Sequence, residues 1–167
     1  LECALGMAQL ALRDGRAAAA TFVRALARNP LDGDAHYNHG VALQMQRDSA
    51  GAARAYQRAL FVRPDLVAAH FNLGVLFQEQ GAHDAAVAAY EAVLRADPSH
   101  VAAHKNLGET LFAAGRIDQW LASFERFEAR CPNALPLAVQ ALEACQYLAD
   151  FARLGRYLEG LRQEQFV

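Results

Sequence analysis

Apolar residues recur at helical spacing through most of the chain, and small or polar residues interrupt them at regular points. The interruptions near Gly15, Ser49, Gly81 and Gly115 separate pairs of short helical segments. The pattern therefore predicts an all-α protein built from helical hairpins.

Three residue classes repeat with one period of 34 residues. The prolines are Pro30, Pro64, Pro98 and Pro132, the glycines are Gly6, Gly40, Gly74 and Gly108, and the rings are Phe22, Tyr56, Tyr90 and Phe124. Because independent residue classes keep the same interval, we expect repeated hairpins stacked on one another. The predicted units span 1–32, 33–66, 67–100 and 101–134.

Each class has a physical role in the hairpin. Proline ends the second helix, since it lacks an N–H and restricts the residue before it. The polar residue after it can cap the next helix, at Asp65, Ser99 or Asn133. The glycine, without Cβ, lets the first helix lie close to the second, and the ring fills the space beside this contact.

This pattern resembles the tetratricopeptide repeat. The resemblance rests on the Leu5-Gly6, Leu73-Gly74 and Leu107-Gly108 pairs, on the small residues Ala18, Ala52 and Ala86, and on the rings and prolines above. It implies a right-handed superhelical solenoid with the first helices lining a concave groove. Trp120 and Phe127 depart from the pattern, so the second helix of the fourth unit is expected to tilt. Residues 135–167 keep a helical rhythm without the Leu–Gly pair, and we expect a degenerate capping hairpin there.

Asparagine occupies the position two residues before three of the glycines, inside a helix where it is disfavoured. These residues are Asn38, Asn72 and Asn106. In the tetratricopeptide arrays of O-linked N-acetylglucosamine transferases and importin-like proteins, which this chain resembles, the position forms an asparagine ladder facing the groove. An amide can pair with both the N–H and the C=O of an extended peptide. The alternative is that these amides bond to a neighbouring repeat and fix the stacking.

The residues beside the ladder vary between units, as a ligand-reading surface would. They are Tyr37, Phe71 and Lys105 before each asparagine, Val41, Val75 and Glu109 after it, and then Gln44 and Gln78. The set predicts a groove that is apolar toward the second and third units and charged at the fourth. An ordinary solvated helix face is the alternative.

Composition narrows the possible partners. A net charge of −2 provides no basic excess for a nucleic acid or an anionic membrane. The three cysteines lack CxxC spacing, which argues against a disulfide framework or a zinc site and favours a reducing, cytoplasmic location. The chain shows no apolar run long enough for a membrane span, and its start at Leu1 hints at a fragment.

The repeated histidines His36, His70 and His104 could suggest a metal site. Their rings would have to converge on one ion, although the backbones carrying them are a repeat apart, so we expect no metal and no cofactor. A bulky residue between the two helices of a unit is the more ordinary role. Catalytic motifs are absent from the sequence, and we expect that the chain alone is not an enzyme.

The sequence therefore predicts an interaction module that holds an extended peptide or protein segment through the asparagine ladder. Two alternatives stay open. One is the substrate-recognition arm of a larger bacterial glycosyltransferase, similar to the O-linked N-acetylglucosamine transferases or SPINDLY-type proteins. The other is a self-assembling scaffold in which Trp120 or the last hairpin packs against another copy.

Overall fold

The computed structural model describes residues 1–116, 118–119 and 122–123. Within these residues the chain forms seven α-helices and no strand. They are α1 (Glu2–Ala11), α2 (Gly15–Arg28), α3 (Gly33–Met45), α4 (Ser49–Val62), α5 (Val67–Glu79), α6 (His83–Ala96) and α7 (Val101–Ala113). The predictions for Trp120, Phe127, Asn133 and the hairpin at 135–167 lie outside the described residues.

The chain divides into two compact units. The first, Leu1–Gln80, contains α1 to α5, and the second begins at Gly81 and contains α6 and α7. In the first unit α2 packs against α1 and α3, and α4 packs against α3 and α5. In the second unit α6 packs against α7. No helix in the described part of the chain is both long and apolar enough to cross a membrane.

The predicted packing of glycine against a ring is confirmed in the first unit. A Cβ on Gly6 would lie 2.7 Å from Cζ of Phe22, and a Cβ on Gly40 would lie 2.5 Å from Cε1 of Tyr56. Both rings are fully buried, as are the small residues Ala18 and Ala52 on the same helices. The first helix of each pair therefore approaches the second at a distance that only glycine permits.

The helix caps differ from the prediction by one residue. Asp32 caps α3 by accepting a hydrogen bond from the Ala35 N–H at 2.9 Å. The equivalent position is Leu66 in α5, which provides no side-chain cap, and His100 in α7. The expectation for Asp65 and Ser99 was wrong, because the residue after each proline still lies in the turn.

The turns inside the hairpins contain a backbone feature that the sequence analysis missed. Arg13, Arg47, Gly81 and Gly115 have φ values of 60°, 62°, 70° and 71°, at intervals of 34 residues. Gly81 and Gly115 were expected to mark breaks, and at the first two turns the left-handed residue lies two positions before the expected Gly15 and Ser49. Glycine adopts this conformation freely, whereas arginine does so at a cost.

The repeated histidines connect each first helix to the loop before it. Nε2 of His36 donates to the carbonyl oxygen of Pro30 at 2.9 Å, and His70 and His104 make the same bond at 3.0 and 3.1 Å, six residues back along the chain. The sequence predicted a space-filling role at these positions. The structure adds a hydrogen bond that satisfies a loop carbonyl.

Candidate functional site: the helix face of α3 and α5

Eight predicted site residues lie on α3 and α5 of the first unit. The set, which we call the candidate groove, comprises Tyr37, Asn38, Val41 and Gln44 on α3 and Phe71, Asn72, Val75 and Gln78 on α5. Every one of these residues is partly buried, so each combines contact with the scaffold and access from solvent. Their spacing of three and four residues places them along one side of each helix.

The Asn72 amide brings residues of three helices together. Its Nδ2 donates to the hydroxyl of Tyr56 at 3.2 Å and toward the hydroxyl of Tyr37 at 3.4 Å. The Tyr56 hydroxyl in turn donates to Oε1 of Gln44 at 2.8 Å. The rings of Tyr37 and Tyr56 have centroids 5.7 Å apart. The network joins Tyr37, Gln44 and Asn72 around one buried tyrosine.

Burial raises the pKa of the Tyr56 hydroxyl far above its usual value of 10.0, and the bond from Asn72 opposes this only in part. Desolvation disfavours the phenolate, so the neutral hydroxyl is the stable form. A neutral hydroxyl can accept from Asn72 and donate to Gln44 at the same time. The orientation of this network therefore does not change around neutral pH.

The three ladder asparagines are not equivalent. Asn106, on α7 in the second unit, donates to the hydroxyl of Tyr90 at 3.3 Å, as Asn72 donates to Tyr56. In both cases the tyrosine lies 16 residues before the asparagine. The residue 16 positions before Asn38 is Phe22, which has no hydroxyl. Among the described residues no hydrogen bond involves the Asn38 side chain.

These bonds bear directly on the two interpretations of the ladder. The donors of Asn72 and Asn106 are engaged with the scaffold, as the stacking interpretation expected, whereas the Asn38 amide is not. The sequence carried the signal, since a tyrosine precedes two of the asparagines by 16 residues and a phenylalanine precedes the third. Sequence reasoning missed it because it treated the rings as packing residues only.

Two further predicted site residues lie in the second unit, on α7. Nζ of Lys105 lies 3.7 Å from Oε1 of Glu109, one helical turn away, and both side chains are exposed. The charge predicted at the fourth repeat is therefore present as an opposite pair. Such an exposed pair contributes little to stability.

The described residues offer little for catalysis or metal binding. No group of three metal-ligating side chains occurs in the part of the chain that the structure describes. Sγ of Cys3 lies 3.8 Å from Oδ2 of Asp32, and burial, followed by the nearby Asp32 charge, raises the pKa of the thiol. The thiol is therefore held in its protonated, unreactive form. Cys131 and Cys145 lie outside the described residues.

Comparison with known families identifies the repeat. A family model described as the tetratricopeptide repeat matches residues 3–60, 39–98 and 76–134. The chain belongs to the tetratricopeptide repeat family. No curated protein sequence shows a significant match to the chain.

Solved structures share the tetratricopeptide fold. A crystal structure of MamA matches with a TM-score of 0.70 and 22% identity, covering 90% of this chain and 74% of that one. PilF of Pseudomonas aeruginosa matches with a TM-score of 0.72 and 20% identity, over 97% and 74% of the two chains. YrrB, described as having an unusual peptide-binding site, gives 0.78 and 15%, over 95% and 82%. These likenesses confirm the predicted all-α fold.

Proposed function

We propose that this tetratricopeptide repeat protein is an interaction module whose candidate groove holds an extended segment of a partner protein. Membership of the family supports the general role of protein interaction. The likeness to YrrB, a protein with a peptide-binding site, is consistent with a peptide as the bound species. We infer a noncatalytic role for the chain itself, since no catalytic motif occurs in its sequence.

The observation that carries the proposal is the position of the Asn72 amide between the hydroxyls of Tyr37 and Tyr56. With Nδ2 held by the two hydroxyls, Oδ1 is left to accept a hydrogen bond from a peptide N–H. The bond to Tyr37 is long at 3.4 Å, so a peptide carbonyl can replace the Tyr37 hydroxyl at low cost. Asn72 is in this way a fixed backbone acceptor with one exchangeable donor.

Asn38 offers the complementary chemistry. Its amide is partly buried and is not engaged by a tyrosine, so both its donors and its acceptor can pair with a peptide bond. Repeats stack about 8–10 Å apart, and an extended peptide advances about 3.3–3.6 Å per residue. The two asparagines would then meet peptide groups roughly three residues apart.

The side chains around the two amides suggest the type of peptide. Val41 and Val75 provide partly buried apolar surface, and Tyr37 and Phe71 provide aromatic surface. None of the eight groove residues is charged. The groove therefore favours an extended segment whose inward side chains are apolar, with recognition of its backbone by the amides.

Peptide selection followed by affinity measurement tests this role. Peptides selected from a displayed random library on the purified protein would be labelled and titrated by fluorescence polarisation against the wild type and an Asn38→Ala/Asn72→Ala variant. We expect affinity to fall by about tenfold or more, because two buried peptide groups lose their partners. An Asn29→Ala variant is the matched control, since Asn29 is an exposed residue at the end of α2.

Equal affinity for the wild type and the double variant, with helicity unchanged by circular dichroism, would overturn the peptide-holding role. Selection of charged peptides without apolar residues would contradict the proposed specificity. The glycosyltransferase arm and the self-assembling scaffold stay predictions of the sequence.

A further inference from the structure

The second helices of the first two hairpins carry only positive charge. The helices α2 and α4 contain five arginines and no acidic residue. We call this set the arginine face: Arg16, Arg24 and Arg28 on α2, and Arg54 and Arg58 on α4. All five side chains belong to exposed residues. They lie in one compact unit, on two helices that both pack against α3.

The arginines occupy the sides of their helices that face away from the core. On α4 the buried residues are Ala52, Tyr56 and Ala59, whereas Arg54 and Arg58 lie one turn apart on the exposed side. Arg24 and Arg58 are equivalent positions of consecutive repeats, 34 residues apart. Because stacked repeats place equivalent positions side by side, the exposed sides of α2 and α4 form neighbouring strips.

Most acidic residues of the first unit are used elsewhere. Asp14, Asp32 and Asp48 accept hydrogen bonds from backbone N–H groups at helix starts, and Asp34 pairs with Arg63. These carboxylates are therefore committed to caps and to one ion pair. They leave the exposed sides of α2 and α4 without compensating charge.

Only Glu2 approaches the arginine face. Its Oε1 lies 3.8 Å from Nε of Arg24 and 3.5 Å from Nη1 of Arg28, so one carboxylate is shared by two arginines. Among the described residues, Arg16, Arg54 and Arg58 have no acidic partner. A strip with this excess of positive charge attracts negative groups.

The charge is not a general property of the repeat. On α6, the corresponding second helix in the second unit, Asp84 and Glu91 are exposed and Arg95 is the only basic residue. The chain as a whole has a net charge of −2. Positive charge is thus concentrated on two helices of an otherwise acidic protein.

Two exposed apolar side chains lie among the arginines. Phe61 follows Arg58 by three residues on α4 and is 77% exposed, and Val23 precedes Arg24 on α2 and is 53% exposed. Arginine and aromatic residues together are enriched in protein interfaces. A polyphosphate surface would use charge alone and would not need this apolar component.

We propose that the arginine face is a second interaction surface, distinct from the candidate groove, which binds an acidic protein segment with apolar side chains between its carboxylates. Each guanidinium can hold a carboxylate through two parallel hydrogen bonds, a geometry that lysine cannot provide. Phe61 and Val23 would contact the apolar side chains of the segment.

A defined probe tests the surface. A fluorescein-labelled peptide of repeated Glu-Glu-Leu-Phe units would be titrated against the wild type and an Arg54→Glu/Arg58→Glu variant. We expect the variant to bind at least about tenfold more weakly, and wild-type binding to weaken as salt is raised, because exposed charges are screened. Arg95→Glu is the matched control, because it makes the same change on α6 and should leave affinity unchanged.

Three further measurements separate the class of partner. A Lys-Lys-Leu-Phe peptide should not bind, and Phe61→Ala should weaken binding of the acidic peptide severalfold. An Arg58→Lys variant keeps the charge but loses the two-pronged geometry, so its affinity should fall between those of the wild type and the charge-reversal variant. Asn38→Ala should leave this binding unchanged, which separates the arginine face from the candidate groove.

The proposal is overturned if the charge-reversal variant, shown to be folded by circular dichroism, binds the acidic peptide as tightly as the wild type does. Tighter binding of single-stranded DNA, or of vesicles of phosphatidylserine and phosphatidylcholine, than of the acidic peptide would likewise overturn it, because the surface would then recognise phosphate.

Discussion

The Tyr56 hydroxyl lies 3.2 Å from Nδ2 of Asn72 and accepts its hydrogen bond. A ring that fills the space beside Gly40 at one end thus positions a groove amide at the other. The stability of the hairpin and the orientation of the candidate groove consequently depend on one side chain.

Replacing Tyr56 with phenylalanine removes this connection while keeping the ring. The change leaves Oε1 of Gln44 and Nδ2 of Asn72 without their shorter hydrogen bond, so we expect a loss of about 1–3 kcal/mol in the free energy of unfolding, measured in urea. Tyr37→Phe is the control, since its hydroxyl accepts only the 3.4 Å contact and its loss should cost less. Equal losses in the two variants would contradict the assigned importance of Tyr56.

The reciprocal change, Phe22→Tyr, provides Asn38 with the hydroxyl that Asn72 and Asn106 already have. We expect the free energy of unfolding to change by no more than about 1 kcal/mol, the worth of one hydrogen bond. The side-chain amide signals of Asn38 in a ¹⁵N correlation spectrum should shift. Affinity for groove-selected peptides should fall, because the amide is then engaged internally. Unchanged amide signals would show that the added hydroxyl does not reach Asn38.

Gly40→Ala should destabilise the first unit. The added Cβ would lie 2.5 Å from the Tyr56 ring, and the buried ring has no space to move, so we expect a loss of about 1–3 kcal/mol. Thermal and urea unfolding would measure it. Gly33→Ala provides the comparison, because its Cβ would meet only the flexible Arg63 side chain at 3.0 Å. A loss at Gly33 as large as the one at Gly40 would refute the steric explanation.

Arg47→Gly should stabilise the protein. Arg47 has a φ of 62°, a conformation that costs a side-chain-bearing residue about 1–2 kcal/mol and that glycine adopts freely. The greater chain entropy of glycine in the unfolded state offsets part of the gain, so we expect a net increase of roughly 0.5–1 kcal/mol in the free energy of unfolding. Arg54→Gly, in the middle of α4, should destabilise by about 1 kcal/mol. A decrease in stability for Arg47→Gly would contradict this reasoning.

Two histidines should make the protein less stable in mild acid. Burial lowers the pKa of His104, and it also lowers that of His39, with a further contribution from the nearby His36. A folded-state pKa below the ordinary 6.5 means that the unfolded chain binds the proton more tightly. The stability contributed by each neutral ring is therefore complete above pH 6.5 and declines as the pH falls below that value, by at most about 1.4 kcal/mol per pH unit for each ring.

Urea unfolding at several pH values would measure this slope. His39→Leu restores the leucine found at the equivalent Leu5, Leu73 and Leu107 and should reduce the acid dependence. His70→Gln is the control, because His70 is only half-buried. Identical slopes for the wild type and the His39 variant would exclude this ring as a source of the effect.

The sequence predicted the features that depend on repeated local rules. Helix pairing, the contact of Gly6 with Phe22 and of Gly40 with Tyr56, and the family followed from spacing alone, because each needs only one residue type at one position. The caps were misplaced at Asp65 and Ser99, because spacing does not show how many residues the turn after proline uses. Details that depend on backbone dihedral angles, such as the left-handed Arg47, leave no mark in composition.

The site was only partly accessible to sequence reasoning. The pattern located Asn38, Asn72 and Asn106 on the first helices, but their hydrogen bonds depend on whether a hydroxyl from another helix reaches them. That outcome is set by one oxygen atom, the difference between Phe22 and Tyr56. Helix periodicity identifies the exposed side of a helix but does not resolve such a difference.

The histidine–proline bonds have a consequence for how such a chain can grow. Both partners of each bond lie six residues apart, as in His70 and Pro64, so any duplicated 34-residue stretch that spans both copies the complete joint. The bond between Asn72 and Tyr56 spans 16 residues and crosses from one hairpin to the next. Gene duplication can therefore lengthen the protein without redesigning its joints, while the amides are free to diverge from one hairpin to the next.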